Sequence, residues 1–279
     1  MKKFKKLLVY TSSSFLNKPE TTRILNYLSK NCSYLDSYTI EKQEKKISSK
    51  KYDLVLSIGG DGVFISASKY AYKKSIPVLG LNFGRIGFLA DLDKKNLQSK
   101  MVEILNGKYI IDKRTMLSGK VYSKTGIHSS ISLNDIVINN CGKLKMIETE
   151  VLVNENLITK QRSDGVIIST PTGSTAYAMS NGCPIVSPKS NVICIVPIAP
   201  HSYGQRSIII NSGDNVTINV NKKSVNHSQV TFDGANNLTI ENPESVQIKK
   251  ASRVLNIIHP CDYDYFKALS QKLKYDIKS

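Results

Sequence analysis

Long apolar runs are missing from this chain of 279 residues. None approaches the roughly 18 residues that a membrane-spanning helix needs. The basic N-terminus is followed by an apolar stretch only at 7–10, which is too short for a signal-peptide core and has no small-residue cleavage site behind it. The sequence therefore predicts a protein that is neither inserted into a membrane nor exported, and that resides in the cytoplasm.

Cysteine and histidine are scarce as well. The five cysteines form no Cys-x-x-Cys pair, and the four histidines show no metal-ligand spacing with them. Scattered cysteines in odd number are typical of free thiols in a reducing compartment. We therefore expect neither a disulfide framework nor a metal site built from protein side chains.

Acidic residues are too few to balance the basic ones. The chain has 39 Lys and Arg against 22 Asp and Glu, a net charge of +17. This charge favours anionic partners such as nucleotides, nucleic acids or acidic lipids, but a Lys-rich surface in a compositionally biased genome would produce it too. Since no DNA- or RNA-binding signature accompanies the charge, it does not by itself predict a nucleic-acid partner.

The first 112 residues alternate between strand and helix patterns. Short apolar runs predict strands at 7–10, 53–58 and 76–81, and helical spacing predicts helices from about Pro19, after Gly62 and over 97–105. This order is typical of a doubly wound α/β domain, which we assign to 1–112 together with about 257–279. A helix at 262–273, with its apolar side chains on one face, is expected to pack back on this domain; these side chains are Tyr265, Phe266, Leu269 and Leu273.

The pattern changes over 113–256, where short β-branched stretches follow one another with turn residues between them. The predicted strands are 131–138, 147–153, 166–169, 192–196, 207–210, 216–220, 229–232, 238–240 and 246–249. Such a series predicts a β-rich, β-sandwich-like domain, interrupted by one helix from about Thr175.

The turn Gly59-Gly60-Asp61-Gly62 connects the apolar run at 53–58 to a helix. Glycines at a strand-to-helix junction bring backbone N–H groups and the positive end of a helix together, which suits a phosphate. A carboxylate there would be repelled by phosphate unless it binds Mg²⁺ or takes a proton, and both roles belong to phosphoryl transfer. The alternative is a plain turn in which Asp61 caps the helix. The chain has no Walker loop and no G-x-G-x-x-G, which excludes a P-loop NTPase and an ordinary dinucleotide dehydrogenase.

Two further segments carry polar groups suited to a nucleotide. A hydroxyl-rich loop containing Thr172, Ser174 and Thr175 follows the strand at 166–169, and its donors could bind phosphate or simply cap a helix. Asn134 and Asp135 begin an apolar strand, where an amide could read an adenine edge and a carboxylate could accept from ribose hydroxyls. The alternative for this pair is an ordinary turn.

In this order and at these separations, the three segments resemble the NAD kinase family, which phosphorylates NAD to NADP with ATP or, in some members, polyphosphate. The glycine turn is shared with phosphofructokinases and diacylglycerol-type lipid kinases. The stretch at 164–177 is close to unique to NAD kinases, and 84–89 resembles the family's Gly-x-x-Gly-Phe-Leu segment. The family fold, an α/β domain joined to a β-sandwich-like domain, agrees with the one predicted from periodicity.

The resemblance implies a role for each matched position. Asp61 would be the catalytic acid/base residue, and Asn134 with Asp135 would hold the adenosine half of NAD. The positions implied to contact substrate or nucleotide are Gly59, Gly60, Gly62, Phe83, Asn134, Asp135, Lys145, Arg162, Asp164, Thr172, Thr175, Ala176, Tyr177, Ala178, Met179, Ser180, Ala199 and His201. The last motif of the family is matched by 232–234.

The chain departs from the family pattern at three positions. Asp135 replaces the usual Glu, Val63 stands where Thr is common, and Ala235 stands where Gln often follows. The resemblance further implies NAD and ATP as substrates, Mg²⁺ arriving with ATP, no tightly bound prosthetic group, and a homodimer or homotetramer.

The sequence therefore predicts transfer of the terminal phosphoryl group of ATP to the 2′-hydroxyl of the adenosine ribose of NAD. Two other functions stay open. One is a lipid or sphingoid-base kinase that shares the glycine turn, although no apolar lipid slot is evident. The other is a non-catalytic protein that binds a dinucleotide or a nucleic acid, against which the intact Asp61 argues.

Overall fold

The computed structural model describes residues 3–41, 50–82, 97–141, 145–234 and 239–274. The chain divides into two compact units. The first unit consists of Met1–Lys113 and Leu255–Ser279, and the second of Arg114–Val254. The second unit is therefore an insertion between two segments of the first.

The elements alternate between strand and helix at first and then become almost entirely strands. In chain order the strands are β1 (Lys6–Thr11), β2 (Tyr34–Thr39), β3 (Leu54–Ile58), β4 (Val78–Leu81), β5 (Ile110–Arg114), β6 (Leu117–Ser123), β7 (Gly126–Ser132), β8 (Asp135–Asn140), β9 (Ile147–Val153), β10 (Asn156–Ser163), β11 (Gly165–Ser169), β12 (Val192–Ile198), β13 (Ile208–Asn211), β14 (Val216–Val220), β15 (Ser228–Phe232), β16 (Ile240–Glu241), β17 (Pro243–Lys250) and β18 (Leu255–His259). The helices are α1 (Ser13–Leu16), α2 (Pro19–Asn31), α3 (Asp61–Lys74), α4 (Leu97–Leu105), α5 (Tyr177–Ser180) and α6 (Tyr265–Leu273), with 3-10 turns at Thr172–Thr175 and Val225–His227.

The first unit is built on a six-stranded sheet of order β2-β1-β3-β4-β18-β5. Strands β2, β1, β3, β4 and β18 pair in parallel. Strand β3 is buried along its whole length, as its continuous apolar run predicts for a strand covered on both faces. The chain places β2 on one side of β1 and β3 on the other. The carboxyl ends of β1 and β3 therefore form a topological switch point, the place where open α/β sheets bind ligands.

Helix α6 belongs to the first unit, as predicted for the end of the chain. Its N-cap is Asp264, whose carboxylate accepts the backbone N–H groups of Phe266 and Lys267. Leu269 is buried on the inner face of the helix, but the side chain of Phe266 is 66% exposed. The predicted apolar face was therefore wrong at Phe266, because consecutive helical residues point in directions about 100° apart and Tyr265 and Leu269 define a different side.

The second unit consists of two six-stranded sheets whose pairings are antiparallel, of order β10-β9-β14-β17-β6-β7 and β13-β12-β11-β8-β15-β16. Alternate residues of β9 and β14 are buried, the pattern of a sheet with one face in a core. One apolar cluster contains residues from both sheets, among them Val151 and Ile218 from the first and Ile138, Ile168 and Phe232 from the second. The unit is a β-sandwich, which confirms the predicted fold class.

Several element predictions need correction. The strand predicted at 131–138 is two strands, β7 and β8, separated at Leu133 and Asn134. The sequence patterns also failed to indicate β2, β5, β6, β10 and β18. The helix expected from Thr175 is only the four-residue α5, preceded by a 3-10 turn. Apolar periodicity does not register such interruptions, because they are made by hydrogen bonds to residues distant in sequence.

Among the described residues, no helix is both long enough and apolar enough to cross a membrane. All five cysteines are free thiols, and Cys183 and Cys194 are buried.

Candidate active site

The glycine turn follows β3 at the switch point of the parallel sheet. The backbone N–H of Gly59 donates to Leu81 at 3.0 Å, and the hydroxyl of Thr11 donates to the carbonyl of Ile58 at 2.9 Å. A Cβ atom on Gly59 would lie 2.7 Å from Cγ2 of Val63, so no larger residue fits there. Val63 is itself buried, so it packs beneath the turn where the family commonly has Thr.

Gly60 and Gly62 leave open space beside the turn. A Cβ atom built on either residue would meet no other atom of the described residues within 4 Å. Gly60 is the N-cap of α3, and the cap makes no side-chain hydrogen bond. The alternative reading of Asp61 as a capping residue is therefore wrong, because Asp61 is the first residue of the helix itself.

The Asp61 carboxylate lies at the positive end of α3 with 53% of its side chain exposed. Nζ of Lys272, in α6, is 3.8 Å from its Oδ2 atom. Burial lowers the pKa of Lys272, and the neighbouring Asp61 carboxylate opposes that shift. The turn thus combines an accessible carboxylate, a helix end and a nearby ammonium group.

Asn134 and Asp135 lie in a turn held by the carboxylate of Asp233. The backbone N–H groups of Leu133, Asn134 and Asp135 donate to Asp233 at 3.2, 2.7 and 3.2 Å. Asp233 has a left-handed φ of 57°, and the following Gly234 has a φ of 62°. These three bonds interrupt the strand that apolar spacing predicted to be continuous.

The segment after β11 closes on the same turn from the other side. The backbone N–H of Thr170 donates to the carbonyl of Asn134 at 2.8 Å, and the Thr170 hydroxyl donates to the carbonyl of Leu133 at 2.6 Å. A Cβ atom on Gly173 would lie 2.2 Å from that Asn134 carbonyl oxygen. Only glycine permits this close approach.

These segments surround a polar cavity of about 300 Å³ in the second unit. It is lined by Asn134, Asp135, Val137, Asn139, Ala176, Tyr177, Thr231, Asp233 and Gly234. Asp135 is 4% exposed, whereas Tyr177 is 46% exposed. The cavity therefore brings together the predicted Asn-Asp pair, the two residues that follow the hydroxyl-rich loop (Ala176 and Tyr177) and the last motif, which are distant in sequence.

Hydroxyl groups of the hydroxyl-rich loop already form hydrogen bonds with other groups of the protein. Ser174 is fully buried, donates to Pro171 at 2.7 Å and accepts the backbone N–H of Val186 at 3.0 Å. Thr175 donates to the carbonyl of Thr172 at 3.2 Å. These two hydroxyl groups stabilise the conformation of the loop. Counting the hydroxyl residues in the sequence therefore overestimates the number of donors available to a ligand.

Thr172 contacts a buried arginine. Nη1 of Arg114 donates to the hydroxyl of Thr172 at 3.2 Å, and Arg114 is 1% exposed. A buried guanidinium is a rigid anchor with several donors, so it fixes the start of the loop.

Residues 178–180, which follow Tyr177, differ in how far their side chains are buried. Ala178 is fully buried in an apolar cluster with Cys183 and Cys194. Its methyl group therefore supports the loop from the core. Met179 and Ser180 are exposed.

Other predicted positions lie outside the cavity lining. Arg162 lies on β10, pairs with Glu148 at 3.6 Å and lines a separate groove of about 790 Å³. Asp164 is half-buried and accepts a hydrogen bond from Asn140 at 3.4 Å. Lys145 is exposed.

Ala199 and His201 are exposed residues that follow β12. Ala199 has a left-handed φ of 41°, an unfavourable conformation for a residue with a Cβ atom. The backbone N–H of His201 donates to the carbonyl of Arg162 at 2.9 Å, which ties this loop to β10. Strained residues of this kind concentrate at functional sites.

Phe83, the segment 84–89 and Ala235 lie outside the described residues. Sequence reasoning missed the roles of Lys272 in the first unit and of Arg114 and Gly173 in the second. Asp233 was recognised only as part of a motif. A sequence signal existed for Asp233, because an Asp-Gly pair directly after a strand indicates a left-handed turn. None existed for Lys272, one of many lysines.

The first unit has a glycine turn with an accessible carboxylate, and the second has a cavity lined by the Asn-Asp pair. Both are features that the sequence predicts for a phosphotransferase that acts on a nucleotide. Residues 2–109 match the family model of the ATP-NAD kinase N-terminal domain, and residues 133–260 match that of the ATP-NAD kinase C-terminal domain. The chain belongs to the NAD kinase family.

Curated relatives and solved structures agree. The NAD kinase of Legionella pneumophila (strain Corby) is 37% identical over 230 residues, which are 82% of this chain and 78% of that relative. The NAD kinase of Pseudomonas fluorescens (strain Pf0-1) is 35% identical over 245 residues, 88% of this chain and 83% of that relative.

Two solved structures share the fold. Yeast NADH kinase complexed with NADH has a TM-score of 0.84 at 18% identity, covering 100% of this chain and 90% of that one. An NAD kinase from Archaeoglobus fulgidus in complex with ATP has a TM-score of 0.77 at 21% identity, covering 96% and 98%.

Proposed function

We propose that Asp61 is the acid/base residue of the reaction that this NAD kinase catalyses, transfer of the terminal phosphoryl group of ATP to the 2′-hydroxyl of the adenosine ribose of NAD. Its placement at a glycine turn supports this role, because the open space beside Gly60 and Gly62 leaves room for phosphate. The exposed carboxylate is accessible to an attacking hydroxyl.

The cavity of the second unit would hold the adenosine part of NAD. The observation that carries this assignment is the convergence of Asn134, Asp135, Tyr177 and Asp233 on one polar cavity. The Asn134 amide has both a donor and an acceptor for an adenine edge, and the Asp135 carboxylate can accept from ribose hydroxyls. The Tyr177 ring offers a flat face on which a base can stack.

The proposed proton transfer needs no unusually strong base. In a loose phosphoryl-transfer transition state the attacking hydroxyl keeps its proton until it has begun to bond to phosphorus. The oxygen then becomes acidic, and the Asp61 carboxylate takes the proton while the bond between the terminal phosphorus and the leaving oxygen of ADP breaks. General-base assistance of this kind typically contributes about 10²–10⁴-fold.

Mg²⁺ bound to ATP fits the residues present. Among the described residues, no three His, Cys, Asp or Glu side chains are grouped to hold a metal. Mg²⁺ in kinases is usually held by substrate phosphates, several waters and one or two carboxylates, so ATP itself would supply most of the ligands of the ion. When bound, the ion neutralises charge on the phosphates.

A lipid or sphingoid-base acceptor has no support, because both family models that the chain matches are those of ATP-NAD kinases. The homodimer or homotetramer stays a prediction of the family resemblance, and the cytoplasmic location stays a prediction from the sequence. The contacts of Arg162, Lys145 and His201 with nucleotide also stay predictions of the family resemblance.

A direct assay tests the proposal. The purified full chain is incubated with ATP, Mg²⁺ and NAD, and NADP is detected by its use in an NADP-specific dehydrogenase reaction. Parallel reactions contain diacylglycerol or a sphingoid base in place of NAD. We expect NADP to form and neither lipid to be phosphorylated; phosphorylation of a lipid without formation of NADP would refute the assignment of the cavity.

A further inference from the structure

Helix α6 brings a cation to the proposed catalytic carboxylate from the far end of the chain. Nζ of Lys272 lies 3.8 Å from Oδ2 of Asp61, and only 29% of the lysine side chain is exposed. Lysine side chains normally extend into water. The partial burial of this one, directed at the glycine turn, requires an explanation.

The position of Lys272 is fixed by the packing of its helix. Asp262, just before α6, forms an ion pair of 2.6 Å with Lys100 of α4, and Asp264 is the N-cap of α6. Leu269 is buried, and a residue three positions later lies on the same face of a helix. Lys272 therefore points inward because Leu269 does.

The charges are complementary. Burial lowers the pKa of Lys272, and the Asp61 carboxylate opposes this shift. A carboxylate with a fixed cation on one oxygen has fewer orientations available, and its other oxygen is left for an incoming hydroxyl. Preorganised charge of this kind does not have to reorient during the reaction.

We infer that Lys272 is a positioning residue for Asp61, holding its carboxylate in the orientation that proton transfer needs. This inference rests on the proposed role of Asp61. A second interpretation is that Lys272 only stabilises α6, because a cation in the last turn of a helix complements the helix dipole. A third is that Lys272 binds the phosphates of ATP. The three readings differ in what removal of the ammonium group does.

The test uses Lys272→Met, which keeps most of the aliphatic stem, and Lys272→Arg, which keeps the charge. Lys267→Met is the matched control, because Lys267 is an exposed lysine on the same helix. We expect kcat of Lys272→Met to fall roughly tenfold while both KM values stay within about twofold. Lys272→Arg should recover most of the loss, Lys267→Met should match the wild type, and the thermal unfolding midpoints of all three should be close to wild type, since exposed pairs add little stability.

A double variant separates the readings. If Lys272 acts through Asp61, adding Lys272→Met to Asp61→Asn lowers kcat no further. A further loss in that background, or a raised KM for ATP, would instead assign Lys272 to the phosphates and overturn the inference. An unchanged kcat for Lys272→Met would also overturn it while leaving the role of Asp61 intact. A fully active Asp61→Asn variant would contradict the proposed role of Asp61 as the acid/base residue.

Discussion

The carboxylate of Asp233 accepts the backbone N–H of Asn134 at 2.7 Å, at the point where β8 begins and its neighbour β15 ends. The same carboxylate also accepts the N–H groups of Leu133 and Asp135. One side chain therefore determines where the Asn-Asp pair lies at the cavity, and a charged acceptor gives shorter, stronger hydrogen bonds than a neutral one.

Asp233→Asn should weaken this turn. The amide loses the charge and one acceptor oxygen, so we expect the free energy of unfolding to fall by about 1–3 kcal/mol, measured by urea denaturation. The KM for NAD should rise as well. Asp214→Asn is the control, because Asp214 accepts the backbone N–H of Asn211 at 3.0 Å in another turn of the same unit. A raised KM for NAD in the control too would mean that general loosening, not the Asn-Asp pair, is responsible.

Gly173→Ala tests the close approach of the loop to Asn134. The added methyl group would lie 2.2 Å from the Asn134 carbonyl oxygen, so the backbone must separate. We expect a loss of about 1–3 kcal/mol in stability, as for other overpacking substitutions, together with weaker binding of NAD in calorimetry. Gly204→Ala, at a position with open space, should change neither. Normal binding of NAD by Gly173→Ala would show that the loop tolerates displacement.

Asp61→Asn tests proton transfer. Asparagine keeps the size and polarity of the residue but can neither accept the proton nor neutralise Mg²⁺, so kcat should fall by at least about 10²-fold. NAD binding, followed by calorimetry, should weaken little. Glu20→Gln, in the first turn of α2, removes an acidic side chain from an equivalent position of another helix and should have no such effect. Turnover within a few fold of wild type would reduce Asp61 to a turn residue.

Asp135→Ala tests the acceptor site. Losing a charge-assisted hydrogen bond to ribose should raise the KM for NAD by roughly ten- to a hundredfold, with little change for ATP. Asp135→Glu keeps the carboxylate and introduces the residue usual in the family, so it should retain activity. It serves as a folded control, against which misfolding of the alanine variant can be recognised. An equal rise in the KM values for NAD and for ATP would indicate that Asp135 does not bind the acceptor, NAD.

The local motifs were readable because their chemistry is contiguous in sequence. A buried strand, two glycines and an acid specify the turn at Asp61 without help from the rest of the chain. The strand at Gly165–Ser169 was likewise evident, since it is buried on every residue. The two-domain fold class followed from the change of apolar period.

Features made by distant partners were not readable. The break between β7 and β8 depends on Asp233, which is 99 residues from Asn134 in the chain. The Asn-Asp pair allowed a turn here, but the apolar spacing on both sides of it favoured one continuous strand. The inward direction of Lys272 depends on which face of α6 is buried, which the exposed Phe266 made hard to judge. The hydroxyl of Ser174 looked available for a ligand but is consumed by Pro171 and Val186.

The first unit uses both ends of the chain, and β18 lies between β4 and β5 in its sheet. During translation, the whole of Arg114–Val254 is therefore synthesised before the strand that fills this gap. Until β18 joins the sheet, β4 and β5 each have an unpaired strand edge, a state prone to aggregation. The α/β unit, although synthesised first, is completed last.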